Sequence, residues 1–417
     1  MLLDRFLKYV KIDTQSAEDI DRVPSTDKQY DLARVLVDEL KALNISDVRL
    51  DEEHCYVYAT VPSNLPADLP HQAPVIAFIA HIDTSPSVTG ANVNPNVIRG
   101  YQGGDISLPA NESIVIKESE NPELRLFKNG TIITTDGTTL LGADDKAGVA
   151  VIMEAVERLL SRNDLRHGTI KVVFTPDEEV GNGPTYFDVK GTGAQYAYTL
   201  DGERLGELNI ETFNAASATV TFHGKNTHPG TAKGIMVNSV YAMSDFILRF
   251  PRDSRPETTE GKEGYMHPYV VSGCEEKSEV KVLLRDFELS GLDKWKRTIT
   301  GMVDEVRKDY PDVRIDLAIK DSYRNMKEVL DNHPGVTEIA SKAIRMAGIE
   351  PLYLPIRGGT DGARLSFMGL PTPNIFMGCN NPHGKLEWVA LEAMEKAVET
   401  VLNIIKLSVD EPESSGK

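Results

Sequence analysis

Five side chains of metal-binding type stand at the ends of apolar runs along this 417-residue chain: His81, Asp144, Glu179, Asp201 and His383. Four follow β-type stretches. Val75–Ala80 leads to His81, Lys171–Phe174 to the Glu178-Glu179 pair, Tyr196–Leu200 to Asp201, and Asn374–Met377 to His383. Asp144 opens a helical stretch. In an open α/β sheet, ligands bind beyond the carboxyl ends of the strands, so residues far apart in sequence can meet there. Two imidazoles and three carboxylates suit a pair of divalent metal ions, and two metals suit hydrolysis. The charges close as well. Two dications against three carboxylates leave one positive charge, which a bridging hydroxide cancels, and a site of low dielectric tolerates that neutral sum.

Two further acids take distinct parts in this reading. Asp83 shares a face with His81 in an extended segment, where it can orient the imidazole and raise its basicity. Glu178 stays off the metals and serves as general base, then acid, while its neighbour Glu179 is a ligand. Each residue alone has a plainer reading. His81-Ile82-Asp83 and Asp201-Gly202-Glu203 also read as strand-end turns, Asp177-Glu178-Glu179 as a solvated turn, and His383 as a loop histidine. An aspartate of the Asp144-Asp145 pair also reads as a helix N-cap. One aspartate suffices as a cap, which leaves the other free to bridge two cations.

The elements that must position these residues alternate in the first two hundred positions. Helix patterns cover Leu3–Val10, the stretch after a capping box at Thr26–Gln29 that runs to about Leu43, and Ala147–Leu160. Strand patterns cover Tyr56–Val61, Val75–Ala80, Thr169–Phe174 and Tyr196–Leu200. Between 85 and 130 a Gly-, Asn- and Pro-bearing stretch is predicted to carry a hairpin around Ile114–Lys117 and Leu124–Phe127. Near-continuous apolar strands between helices imply a sheet buried on both faces. After about Ile210 the order becomes β-α-β-β-α-β, the ferredoxin-like unit. Its strands are Ala218–His223, Tyr269–Ser272, Val280–Phe287 and Arg314–Ile319, and its helices Asn238–Phe250 and Leu292–Tyr310. The α/β pattern then returns, with helices Pro334–Ala347 and Leu391–Leu407 and strands near Leu352–Ile356 and Asn374–Met377. The expected organisation is therefore α/β and discontinuous, with a first part at 1–209, an inserted α+β domain at 210–326 and a second part at 327–417.

Composition bounds the partners. Lys plus Arg number 45 and Asp plus Glu 63, a net charge of −18, which argues against nucleic acid and anionic membrane. Hydrophobic residues at 41% and charged residues at 26% describe a soluble globular protein. Three cysteines, Cys55, Cys274 and Cys379, make no Cys-x-x-Cys pair, so a reducing cytosol is expected. Cys379 lies near His383, but a thiolate would upset the charge count. No apolar run approaches the roughly 20 residues that span a bilayer. The N-terminus reads as an amphipathic helix rather than a secretory signal, and the polar tail Asp410–Lys417 is expected to fray.

The motifs Ala80–Pro86, Leu141–Gly148, Phe174–Gly181, His228–Gly234 and Ile356–Gly362, in this order, resemble the co-catalytic zinc aminoacylase and carboxypeptidase superfamily. Within it, the chain is similar to the tripeptide aminopeptidase branch, from Ile12-Asp13-Thr14-Gln15-Ser16 to the 392–398 region. The resemblance implies a catalytic domain with a mixed sheet between helices and an inserted lid. It implies that His81 and Asp201 hold one metal, that Glu179 and His383 hold the other, and that Asp144 bridges them. Asp83 would support His81, and Glu178 would be the base. His228 would stabilise the oxyanion from the lid, and Arg285 and Arg357 are candidates to bind the substrate carboxylate. Implied too are two zinc ions per subunit (cobalt or manganese also fit), tripeptide substrates and a homodimer. An N-acyl amino acid deacylase or dipeptidase of the same superfamily, or a metal- or peptide-binding protein without turnover, are the rival readings.

Overall fold

The computed structural model describes residues 1–66, 73–162 and 164–410. Residues 411–417, in the tail expected to fray, lie outside them. The chain divides into two compact units. The first comprises Met1–Ile210, Met326–Leu354 and Thr360–Lys417, the second Glu211–Asn325 and Pro355–Gly359. Residues 355–359 fall with the second unit because they run beside its first residues. Ile356 N donates to Glu211 O at 2.9 Å, and Phe213 N to Ile356 O at 3.2 Å.

The first unit is built on an eight-stranded mixed sheet. Its order is Asp47–Leu50, Val57–Val61, Ile170–Thr175, Ile76–His81, Tyr196–Gly202, Asn374–Phe376, Glu207–Asn209 and Leu352–Tyr353. Ile76–His81 pairs in parallel with Ile170–Thr175 and with Tyr196–Gly202, which pairs in parallel with Asn374–Phe376. Every residue of Ile76–His81 is buried. Ile76, Phe78 and Ala80 face one core, and Ala77 and Ile79 the other. That alternation explains the unbroken apolar run, since a central strand covered on both faces has no wet side. Burying a side chain such as Phe78 contributes roughly 1.5–3 kcal/mol. The larger core takes the helices Leu2–Tyr9, Gln29–Ala42, Ala143–Leu160, Pro334–Met346 and Leu391–Asp410. Ala143–Leu160 is buried nearly all round, with an unbroken apolar run at Val149–Met153, as a helix sunk in a core requires. It approaches the sheet closely at Gly148, where a Cβ would sit 2.3 Å from Leu200 O.

The expected hairpin at 114–127 is displaced. Ile106–Leu108 and Asn111–Ile116 form it, and Pro122–Phe127 is a 3-10 helix. Pro122 takes the first turn, where no N–H is needed, and Leu124 and Phe127, three apart, bury together on one side. A second sheet of the first unit went unread in the sequence. Its order is Cys379–Asn380, Trp388–Ala390, Thr131–Thr134 and Asn96–Arg99, all antiparallel. Its strands are too short to show a period, yet its first loop carries His383. The capping box at Thr26–Gln29 is also absent. The helix begins at Gln29 with no side-chain cap, and Thr26 Oγ1 donates to Gln15 O at 2.7 Å instead.

The second unit is an antiparallel sheet in the order Tyr265–Gly273, Lys277–Asp286, Asn214–His223 and Arg314–Tyr323. Helices Ser239–Leu248 and Leu289–Asp309 complete the β-α-β-β-α-β order. Ala216, Ala218, Val220 and Phe222 are buried at alternate positions, and Trp295, Ile299, Met302, Val303 and Val306 form the helical stripe that covers them.

Candidate metal centre

The parallel strands point their carboxyl ends one way, and the chemistry gathers there in the first unit. His81 ends its strand opposite Thr175. Glu178 and Glu179 follow Thr175 in a short turn, and Asp201 lies at the end of Tyr196–Gly202. Asp144 arrives from the helix start. Its φ of −81° and ψ of 103° are not helical, so the chain kinks there and the side chain leaves the helix axis. The neighbour Asp145 takes the capping part: its Oδ1 accepts from Gly148 N at 3.2 Å and its Oδ2 from His81 N at 3.1 Å. Asp144 is left free for the cluster.

Asp144 is shared. Its Oδ1 lies 3.0 Å from His81 Nε2, and its Oδ2 lies 3.1 Å from His383 Nε2. His81 Nε2 is also 3.6 Å from Asp201 Oδ1, and His383 Nε2 is 2.8 Å from Glu179 Oε2. Two triads result, His81-Asp144-Asp201 and Asp144-Glu179-His383, each with its ligand atoms within 4.8 Å of one another. Glu179 Oε1 is buried with no hydrogen-bond partner, and a buried carboxylate oxygen left so is costly. A cation satisfies it. Imidazole nitrogen and carboxylate oxygen are donors for zinc, cobalt or manganese. The residues therefore fit divalent ions, and Asp144 belongs to both triads.

The electrostatics agree. Burial pulls His383 down, but its hydrogen bonds to Asp144 and Glu179 push it up to about 11. Burial and the charge of Asp144 push Glu179 up to about 7, against the pull of His383. Asp144 is held well below the usual carboxylate range: burial raises it, and the bonds to both histidines outweigh that. Glu178 is carried well above the glutamate range, first by burial, then by the charge of Asp201, with Asp361 and Glu179 adding and His81 opposing. Packed acids of this kind hold protons until cations replace them.

Asp83 does more than its spacing to His81 indicates. His81 Nδ1 lies 3.3 Å from Asp83 Oδ1 and 3.1 Å from its backbone oxygen. The same carboxylate accepts from Glu178 N at 3.0 Å and Glu179 N at 3.3 Å, so it joins the histidine loop to the glutamate loop. Three supporting residues were missed. Glu387 accepts from the N–H groups of Leu141, Gly142 and Asp144 at 2.7, 2.8 and 3.0 Å, and so fixes the approach to Asp144. Asn374 Nδ2 lies 3.5 Å from Asp201 Oδ2. Buried Asp361 accepts from Thr175 Oγ1 at 2.7 Å and is pushed up to about 7 by burial, against that bond. A carboxylate on backbone N–H groups 243 to 246 positions away leaves no local pattern. Cys379 is buried against Glu387, and burial carries its thiol well up, which suits an inert thiol.

His228, Arg285 and Arg357 belong to the second unit. His228 is exposed, and its Nδ1 accepts from Gly230 N at 3.1 Å. Arg285 donates to Ala216 O and Leu284 O and lies over the Tyr323 ring. Arg357 donates to Gly261 O, Glu263 O and Thr259 Oγ1 and lies over Phe213 and Tyr265. No helix among the described residues is long and apolar enough to cross a membrane.

Known proteins extend this picture. Residues 135–407 match the family described as Peptidase family M20/M25/M40. A protein of Clostridium perfringens named Peptidase T is 48% identical over 404 residues, covering 97% of this chain and 98% of its own. The aminopeptidase PepT of Bacillus cereus has a similar fold, with a TM-score of 0.73, 22% identity and 98% of each chain covered. So does a tripeptidase of Staphylococcus aureus, with a TM-score of 0.76, 21% identity and 98% of each chain covered. Together with the paired triads, these likenesses establish that the chain belongs to peptidase family M20/M25/M40, within its peptidase T group, and is a hydrolase.

Proposed function

We propose that this chain is a two-metal aminopeptidase that releases the N-terminal residue of tripeptides. The observation that carries the metal reading is Asp144, with one carboxylate oxygen toward each histidine. His81 and Asp201 would hold one ion and Glu179 and His383 the other, with zinc as the metal. Two such ions, when bound, polarise a scissile carbonyl and make a water molecule acidic near neutral pH. With cations at the cluster, Glu178 would be ionised and ready to accept a proton. Glu178 takes the proton from the attacking water and returns it to the departing amine as the C–N bond breaks. Asp83 keeps His81 and the Glu178 backbone in register during both transfers.

The substrate reading draws on the Clostridium relative's name and on the Bacillus and Staphylococcus proteins, an aminopeptidase and a tripeptidase. By resemblance, His228 stabilises the oxyanion from a lid formed by the second unit, and Arg285 and Arg357 take the substrate carboxylate. The three cysteines are free, in keeping with a cytosolic enzyme, which the resemblance makes a homodimer. A panel of tripeptides, dipeptides and N-acyl amino acids tests the substrate. Tripeptide cleavage is expected, and cleavage of N-acyl amino acids alone would overturn it. Glu178→Ala should keep its metals and lose roughly 10²–10⁴ in rate or more. Full activity in that variant would remove Glu178 from its role.

A further inference from the structure

The helix start that failed to form a capping box has another task. Gln29 is fully buried, and its amide faces Asp177 rather than its own helix. Gln29 Nε2 donates to Asp177 Oδ1 at 2.6 Å, and Gln29 Oε1 accepts from Asp177 N at 3.2 Å. Ser25 completes the grip. Its N donates to Asp177 Oδ2 at 2.5 Å and its Oγ to Asp177 Oδ1 at 2.6 Å. All these groups are buried.

Asp177 is the residue before Glu178, and it sits at φ 54° and ψ 28°. That left-handed conformation is unusual for a non-glycine residue and is held here by its surroundings. Here it turns the chain sharply at the end of Ile170–Thr175. The turn closes with Asn182 N on Asp177 O at 2.8 Å and Gly181 N on Glu178 O at 2.7 Å. Three consecutive N–H groups are thus held by side chains: that of Asp177 by Gln29, and those of Glu178 and Glu179 by Asp83.

We infer that Ser25, Gln29 and Asp177 form a positioning clamp that sets Glu178 for proton transfer. The inference rests on Glu178 being the base. Among the described residues their side chains hydrogen-bond to one another and not to His81, Asp144, Glu179, Asp201 or His383, so they act through the turn. Misplacing a reacting group by about 1 Å can cost on the order of 10²-fold in rate. A clamp differs from a packing role in one respect: it depends on which atom donates. Gln29→Glu keeps the volume but sets a carboxylate against Asp177. Asp177→Asn restores a donor opposite that new carboxylate, in an otherwise isosteric pair.

Steady-state kinetics on the zinc-loaded, full-length protein tests this, with Glu178→Ala alongside. Gln29→Glu is expected to lower kcat by roughly 10–100-fold with KM changed less than about threefold. The double variant Gln29→Glu/Asp177→Asn is expected to recover at least about half of that loss on a logarithmic scale. Wild-type kcat in Gln29→Glu, or a double variant no better than the worse single one, overturns the clamp. If Gln29→Glu does not fold by circular dichroism, Ser25→Ala and Ser25→Thr decide instead. A several-fold kcat loss in the first, restored in the second, supports the clamp, and equal rates refute it. Full activity of Glu178→Ala would instead overturn the base assignment, so the two failures are separable.

Discussion

The two halves of the metal centre are built from the same residue types on different supports. His81 is carried by a central strand, its side chain 2% exposed, and both its nitrogens face acids. His383 is carried by a loop between two short strands, its side chain 47% exposed, in a left-handed conformation at φ 61°. Among the described residues its Nδ1 has no hydrogen-bond partner. A metal-binding imidazole is oriented by the group on its other nitrogen, so the His81 half is preorganised and the His383 half is not. On the proposed ligand set, the His81 half should therefore hold its ion more firmly than the His383 half.

Breaking each histidine should expose that contrast most strongly. His81→Ala leaves Asp144 and Asp201 facing each other without their buried cation. In chelator-treated protein it should cost roughly 3–5 kcal/mol in denaturant unfolding, the range for stripping one partner from a buried ion pair. His383→Ala should cost clearly less, because its imidazole is 47% exposed where that of His81 is 2% exposed, although its partners Asp144 and Glu179 are largely buried. Equal losses would erase the distinction. Both variants should be inactive if catalysis needs both ions.

Asp83→Asn gives the next effect. It weakens the acid behind His81 and the grip on the Glu178 and Glu179 backbone together. Removing such an outer partner typically costs about 10–100-fold in metal affinity. Competition with a coloured chelator should find that loss, and unchanged affinity would show that Asp83 serves only the backbone.

The smallest effect concerns pH. In metal-free protein the folded-state values of Glu179 and Asp361 are raised to about 7. A raised value gives stability that is present below the unfolded value and lost as pH rises through the folded one. The metal-free protein should therefore lose melting temperature between about pH 4.5 and 7, and the zinc-loaded protein should not. Parallel melting curves would contradict the cluster's charge balance.

How much of this could be read from the chain depends on distance along it. His81 and Asp201 end apolar runs whose strands are buried on both faces, so local pattern marked their place. Asp144 was legible as a helix start, but the backbone at the kink that frees its side chain is held by Glu387, 243 residues away. Gln29 misled: Thr26 and Gln29 have capping-box spacing, and the tertiary partner Asp177, 148 residues on, outcompeted the local one. The small sheet behind His383 has strands of two to four residues, too short for any period to show. Local chemistry was readable, and the long-range hydrogen bonds that aim it were not.

Metal content by mass spectrometry, after loading with excess zinc and gel filtration, tests the central claim most directly. The wild-type chain should retain two zinc ions per chain, and His383→Ala should retain one. A wild-type chain that keeps one ion or none, or a His383→Ala variant that keeps two, would contradict a shared Asp144 between two metals.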